Sequence, residues 1–199
     1  MNMHKFNKIL IGTHNDGKFK EISDLIPKTI EKVSPLSLSI ESPAENGKTF
    51  LENSEIKADF FCKKSNLVTL SDDSGLSIDC LNGEPGIYSA RWAKKYGSFD
   101  KAMDEILKMV NKKNKNTNAQ FICSLTIQWP DGKKISEIGK VNGKICPKKG
   151  DNGFGYDPIF IPENYSKTFA EMNYNEKLLI DHRFIAYKKL EKKIKTYFE

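Results

Sequence analysis

The sequence predicts an α/β fold with a mixed sheet, and three observations predict it. Short apolar runs alternate with stretches of helical spacing over the first third of the chain. Two long extended stretches flank Pro130-Asp131-Gly132, a turn signal that pairs antiparallel strands. Asn173, followed three residues later by Glu176, forms a capping pattern that opens a closing helix. Strands and helices that intermix in this way give the α/β class with flanking helices rather than segregated layers.

Taken in order, Lys8 to Thr13 reads as a buried strand. In "GKFKEISDLI", Phe19, Ile22, Leu25 and Ile26 recur at helical spacing, so a strand, a polar loop and a helix follow one another. Val33 to Ile40 is expected to be extended, and a loop containing Pro, Gly and Asn leads to a helix from Phe50 to Lys64. Strand Leu67 to Leu70 is expected to end in the Ser-Gly turn of "SDDSGLSIDC". Gly83, Pro85 and Gly86 make "NGEPGIYSARWA" begin as a loop. A helix from Asp100 to Val110 precedes the long hairpin, Ala119 to Trp129 with Lys133 to Ile145. "DNGFGYDPIF" is a glycine-punctuated loop running into a short extended piece, and the last helix runs from Asn173 to Tyr197.

A chain of 199 residues with 38% hydrophobic content can bury a full core and suits one domain, residues 1–199. The net charge of +6 favours polyanionic partners, nucleotides and nucleic acids alike. Much of that charge lies in "NKKNKN" (Asn111 to Asn116) and "KKLEKKIK" (Lys188 to Lys195), which read as a solvated loop and an outer helix face. Cys62, Cys80, Cys123 and Cys146 show no paired ligand spacing, as in a cytoplasmic protein with reduced thiols. No apolar stretch is long enough to span a membrane.

Chemistry-bearing residues collect in loops after strands, where open α/β sheets bind ligands. Thr13, His14, Asn15, Asp16, Gly17 and Lys18 offer a hydroxyl, an amide, a flexible glycine and an ammonium just before a helix N-terminus, the donors a phosphate needs. An ordinary capped turn has the same composition. Asp72 and Asp73, brought toward one place by a turn, would need a cation; hard oxygens suit Mg²⁺ beside substrate phosphates, with Glu45 as a further donor. Capping of nearby N–H groups is the alternative. Lys57 on the second helix could neutralise transferred phosphate charge. Phe154, Gly155, Tyr156 and Asp157 set aromatic faces beside accessible backbone donors, which suits a nucleobase. Lys177, His182 and Arg183 lie on the expected last helix.

The blocks "IGTHNDGK", "ENGKTFLENSEIKA", "SDDSGLSIDCLNGEPGIYSARWA", "GFGYDPIF" and "FAEMNYNEKLLIDHRFIAYKKL" together resemble the inosine triphosphate pyrophosphatase family, over nearly the whole chain and in the family's order. The resemblance implies an elongated mixed α/β fold of two lobes around a central cleft, a homodimer, and Mg²⁺-dependent hydrolysis of ITP, dITP and XTP to the monophosphate and pyrophosphate. It implies that Thr13 to Lys18 grip the triphosphate, that Asp73 accepts a proton, and that Asp72, Asp73 and Glu45 hold metal. Ser74, Phe154 to Asp157, Lys177, His182 and Arg183 would line the substrate pocket. Three positions depart from the family pattern: Asp181 stands where a serine is usual, Phe184 where small residues are common, and Ala44 where many relatives carry an acid. Two other readings stay open: a basic nucleic-acid-binding module, and a related pyrophosphatase for modified pyrimidine nucleotides. Scattered lysines and the lack of a binding-module motif weigh against stable nucleic-acid binding.

Overall fold

The structure, a computed structural model, describes residues 6–113 and 116–195. Its sheet has six strands in the order β2-β1-β3-β4-β5-β6: β1 (Lys8–Ile11), β2 (Glu31–Val33), β3 (Thr69–Ile78), β4 (Asn118–Gln128), β5 (Lys134–Ile145) and β6 (Phe160–Pro162). The helices are α1 (Asp16–Leu25), α2 (Phe50–Ser65), α3 (Ser89–Tyr96), α4 (Phe99–Lys112), α5 (Tyr174–Leu178) and α6 (His182–Ile194). β1 runs parallel to both β2 and β3. β5 and β6 are antiparallel, so the sheet is mixed.

The hairpin follows the register that the sequence signals. Trp129 N–H donates to Lys133 O at the Pro-Asp-Gly turn (2.8 Å), and Ile145 N–H donates to Thr117 O at the far end (2.7 Å). Both contacts fit a single antiparallel register of β4 against β5. Gly132 takes φ +90°, which the turn requires and side-chain-bearing residues rarely adopt.

The chain divides into two compact units, each with its own core. Among the described residues the first comprises 6–73, 123–139 and 183–195, and the second 74–113, 116–122 and 140–182. In the first, Ile9, Ile11, Ile22, Leu70, Leu125, Ile127, Tyr187 and Leu190 are buried together. In the second, Leu76, Ile78, Ile106, Phe121, Ile159, Phe160 and Phe169 are. Phe121 meets Phe160 edge-on at 4.7 Å between ring centroids, a favoured aromatic geometry.

Four segments differ from the expected elements. β3 does not stop at Leu70 but continues through Ser71, Asp72, Asp73, Ser74 and Gly75 to Ile78. The stretch from Val33 to Ile40 is strand only to Val33; a 3₁₀ turn, Leu36–Leu38, follows and closes on Ser39 in the left-handed region. The segment after Gly86 becomes helix α3. The last helix is two: the capping box of Asn173 and Glu176 opens α5, and α6 starts anew at His182. The expected end at Tyr197, like part of the lysine-rich stretch at 111–116, lies outside the described residues.

Candidate active site

The loop after β1 is built by local hydrogen bonds. Asn15 caps α1: its side-chain oxygen accepts from Lys18 N–H at 2.9 Å, and Thr13 Oγ1 accepts from Asn15 N–H at 3.2 Å. Asp16 occupies the first turn of α1, where the helix dipole favours an anion. Gly12 admits no side chain, because a Cβ there would lie 2.1 Å from Ser71 Oγ and 2.7 Å from the Phe61 ring. This close packing of loop on β3 sets Lys18, in the first turn of α1, against Asp72: Nζ to Oδ2 is 3.0 Å.

Because β3 stays extended through Asp72 and Asp73, the two carboxylates leave the backbone on opposite sides. Their partners differ accordingly. Asp72, fully buried, faces Lys18 and Arg183, whose Nε is 3.7 Å away. Arg183 also donates to Glu21 Oε2 at 2.8 Å. Burial alone would raise the Asp72 carboxyl, but Lys18, Lys57 and Arg183 outweigh it and hold it well below the usual carboxylate range.

Asp73 faces α2. Asn53 Nδ2 donates to its Oδ2 at 3.0 Å, and Lys57 Nζ is 3.9 Å from its Oδ1. The same ammonium bonds Glu45 Oε1 at 2.7 Å. Burial pushes the Asp73 carboxyl above its ordinary value; Lys57 and Lys18 pull against that, and the neighbouring Glu45 charge adds to it. Lys57 is itself raised, because Asp72, Asp73 and Glu45 more than offset its desolvation. The result is an ionised anchor, Asp72, next to a carboxylate whose affinity for protons is increased, Asp73. Two titratable groups driven apart in this way are suited to different tasks.

Among the described residues no group of three His, Cys, Asp or Glu side chains gathers to enclose a metal ion. Asp73 and Glu45, both drawn to one ammonium, are the pair whose oxygens and surplus negative charge fit a hard divalent cation. Mg²⁺ commonly takes one or two carboxylates and completes its shell with water and substrate phosphate, so this sparse donor set fits it.

The second unit holds the GFGYDP loop. Asp157 Oδ2 accepts from Phe154 N–H at 2.9 Å and from Lys177 Nζ at 2.6 Å, with both charged side chains buried. Lys177 also lies 4.6 Å from the Phe154 ring centroid, a cation–π contact. Gly153 and Gly155 take positive φ (75° and 68°). A Cβ on Gly153 would meet Asp157 Oδ2 at 2.2 Å, so the loop can wrap its own carboxylate only with glycine there. His182 stacks on Phe121 at 4.9 Å with an interplanar angle of 14°. Ser74 is half-buried at the start of this unit's part of β3.

Tyr156 is buried, and its hydroxyl donates to Ser89 O at 2.9 Å. Tyr156→Phe is expected to lower stability by about 1 kcal/mol by orphaning that carbonyl, a fall of roughly 2–4 °C in thermal midpoint measured by circular dichroism.

The structure thus gathers Lys18, Glu45, Lys57, Asp72, Asp73 and Arg183 in the first unit, and Phe154, Asp157 and Lys177 in the second. Sequence reasoning missed Glu21 and Asn53. Both carried a signal: Glu21 stands three residues after Lys18, and Asn53 four before Lys57, spacings that place each pair on one helix face. Asn53, a poor helix former, is fully buried.

A lysine–carboxylate pair after β1 and a second lysine between two carboxylates, on a mixed α/β sheet, are the charges that enzymes of phosphoryl chemistry employ. The Ham1 family profile matches residues 9–193. The chain is 42% identical over 187 residues to the dITP/XTP pyrophosphatase of Zymomonas mobilis, covering 92% of this chain and 90% of that one. It is 39% identical to the Bacillus cereus dITP/XTP pyrophosphatase, over 98% of each chain. Among solved structures, a HAM1 protein from Coxiella burnetii superposes with TM-score 0.86 at 31% identity, covering 95% of this chain and 98% of that one. The Staphylococcus aureus Ham1 protein gives 0.84 at 34% identity with the same coverage. This chain belongs to the Ham1 family.

Proposed function

We propose that this protein hydrolyses the deaminated purine nucleotides ITP, dITP and XTP to the monophosphate and pyrophosphate; the names of its relatives give dITP and XTP as their substrates and pyrophosphatase as their activity. The observation that carries the reading is the pairing of a buried, proton-avid Asp73 with Lys57 and Glu45, beside the Lys18–Asp72 ion pair. Asp73 takes a proton from water as that oxygen forms its bond to the α-phosphorus and the bond to the bridging oxygen breaks. Lys18 and Lys57 offset the charge of the departing pyrophosphate. Mg²⁺, held by Asp73 and Glu45, would supply further positive charge to the phosphates and acidify a nearby water. Asp72 orients Lys18 and Arg183.

The Phe154 ring and the backbone donors of the GFGYDP loop suit the purine. A 6-keto oxygen accepts from such donors, whereas the 6-amino group of ATP would leave them unpaired, at a cost of about 1–3 kcal/mol for each buried group. The protein acts, on this reading, as a cytoplasmic homodimer on free nucleotides and forms no stable nucleic-acid complex. Among the described residues no helix is long and apolar enough to cross a membrane.

The test is a side-by-side assay of ITP, XTP, dITP, GTP, ATP and modified pyrimidine triphosphates with Mg²⁺, identifying the product. Pyrophosphate release favouring ITP, XTP and dITP over ATP by 100-fold or so, the discrimination expected from one or two unpaired groups, is the expected outcome. Orthophosphate as the product, or preference for a pyrimidine, would overturn it.

A further inference from the structure

We infer that His14 is a positioning residue that straps the acidic loop carrying Glu45 to the loop after β1, rather than a ligand of the substrate phosphates. Both ring nitrogens are engaged by that segment: Nδ1 meets Ser42 Oγ at 2.6 Å and Nε2 meets Ile40 O at 3.0 Å. The ring also lies against Phe61, 5.9 Å between centroids at 40°. A carbonyl only accepts, so Nε2 carries the proton, and Ser42 Oγ, which can donate or accept, occupies Nδ1. With both nitrogens committed, no donor is left over for a phosphate.

The strap matters because of what lies beyond it. Residues 40–48 have no regular secondary structure, and the far end of the loop is tied to α2: Gly47 N–H donates to Asn53 Oδ1 at 2.8 Å and Lys48 N–H to Glu52 Oε2 at 2.6 Å. Asn53 is also the donor to Asp73. Glu45 therefore sits between two ties, one from His14 and one from the residue that orients the proposed general base. Holding it at both ends keeps its carboxylate near Lys57 and Asp73 at little entropic cost when a cation or substrate arrives. The reading of Glu45 as a cation ligand belongs to the proposed function; the strap itself does not depend on it.

The test compares His14→Ala, Ser42→Ala and the double variant. Amide order parameters of residues 41, 42 and 44–46 in the metal-free protein are expected to fall from about 0.85 toward 0.6 in His14→Ala. Ser42→Ala, which removes one of the two hydrogen bonds, should give a smaller fall, and the double variant nothing further, since His14→Ala already removes the contact to Ser42. The ring nitrogen shifts of the wild type should report a proton on Nε2, the tautomer that the Ile40 carbonyl requires. In the assay of ITP hydrolysis, the Mg²⁺ concentration for half-maximal rate should rise about fivefold in His14→Ala, the scale of one lost hydrogen bond, with kcat at saturating Mg²⁺ little changed. A phosphate-binding role predicts instead a raised KM for ITP with unaltered order parameters, and that result would overturn the proposal, as would additive losses in the double variant. Lack of ITP hydrolysis would defeat the functional reading but leave the order parameters and the tautomer to decide the strap.

Discussion

Asp73→Asn is expected to lower kcat for pyrophosphate release from ITP by about 10²–10⁴-fold, the range that a positioned general base contributes. The substitution keeps the shape of the side chain and the hydrogen bond to Asn53, so the loss reports proton transfer and cation binding rather than misfolding. The same reasoning fixes a sign for stability. Burial raises the folded-state Asp73 carboxyl above its unfolded value, so its favourable contribution is complete below about pH 4 and is lost as pH rises through the folded value. At neutral pH the ionised carboxylate in metal-free protein is a burden that asparagine removes. The variant should therefore melt no lower than the wild type, and higher by a few degrees if the exchange is worth ~1 kcal/mol, as when activity is bought with local destabilisation. In metal-free protein the Asp73 carboxyl, followed by NMR, should titrate above the ordinary carboxylate range, and Glu45→Gln, which removes a like charge, should move it to lower pH. Unreduced turnover by Asp73→Asn would reject its role; a large fall in melting temperature would show that the carboxylate is chiefly structural.

Local chemistry made much of the fold legible. The Pro130-Asp131-Gly132 turn set the hairpin register, and Asn15, Thr49 and Asn173 each precede a helix with a side chain that caps it. The errors lie where long-range pairing overrides local preference. Asp, Ser and Gly are depleted in strands, so "SDDSG" reads as a turn, yet β3 runs through it because Lys18, Lys57, Arg183 and Asn53 meet the two carboxylates from separate helices. The break between α5 and α6 has no Gly or Pro to announce it. There Lys177 O accepts from both Ile180 and Asp181 N–H, and Lys177 turns inward to Asp157. The α3 helix is short and follows the Gly83-Glu84-Pro85-Gly86 segment, which masks its start. In the site, residue types in loops were legible, whereas Glu21 and Asn53 lie within helices whose apolar spacing made their polar positions look solvated.

The second large effect is structural. Asp72→Asn is expected to lower stability by about 3 kcal/mol, because it leaves the Lys18 and Arg183 cations without the carboxylate that neutralises them in a buried setting. The figure is taken at the low end of the range for broken buried pairs, since Arg183 keeps Glu21 and the Lys18 side chain is 17% exposed. For a chain of this size the thermal midpoint should fall by roughly 6–12 °C. Here the sign of the linkage is opposite to that of Asp73. The Asp72 carboxyl is depressed in the folded state, so its stabilisation is present above the unfolded value near pH 4 and disappears only as pH falls through the much lower folded value. The gap between wild type and Asp72→Asn should therefore be nearly as wide at pH 5 as at pH 7. Thermal unfolding followed by circular dichroism at both values decides it. No gap at either pH would mean that Asp72 titrates as an ordinary carboxylate, and that the buried network of Lys18, Arg183 and Glu21 is not what holds α1 and α6 to β3.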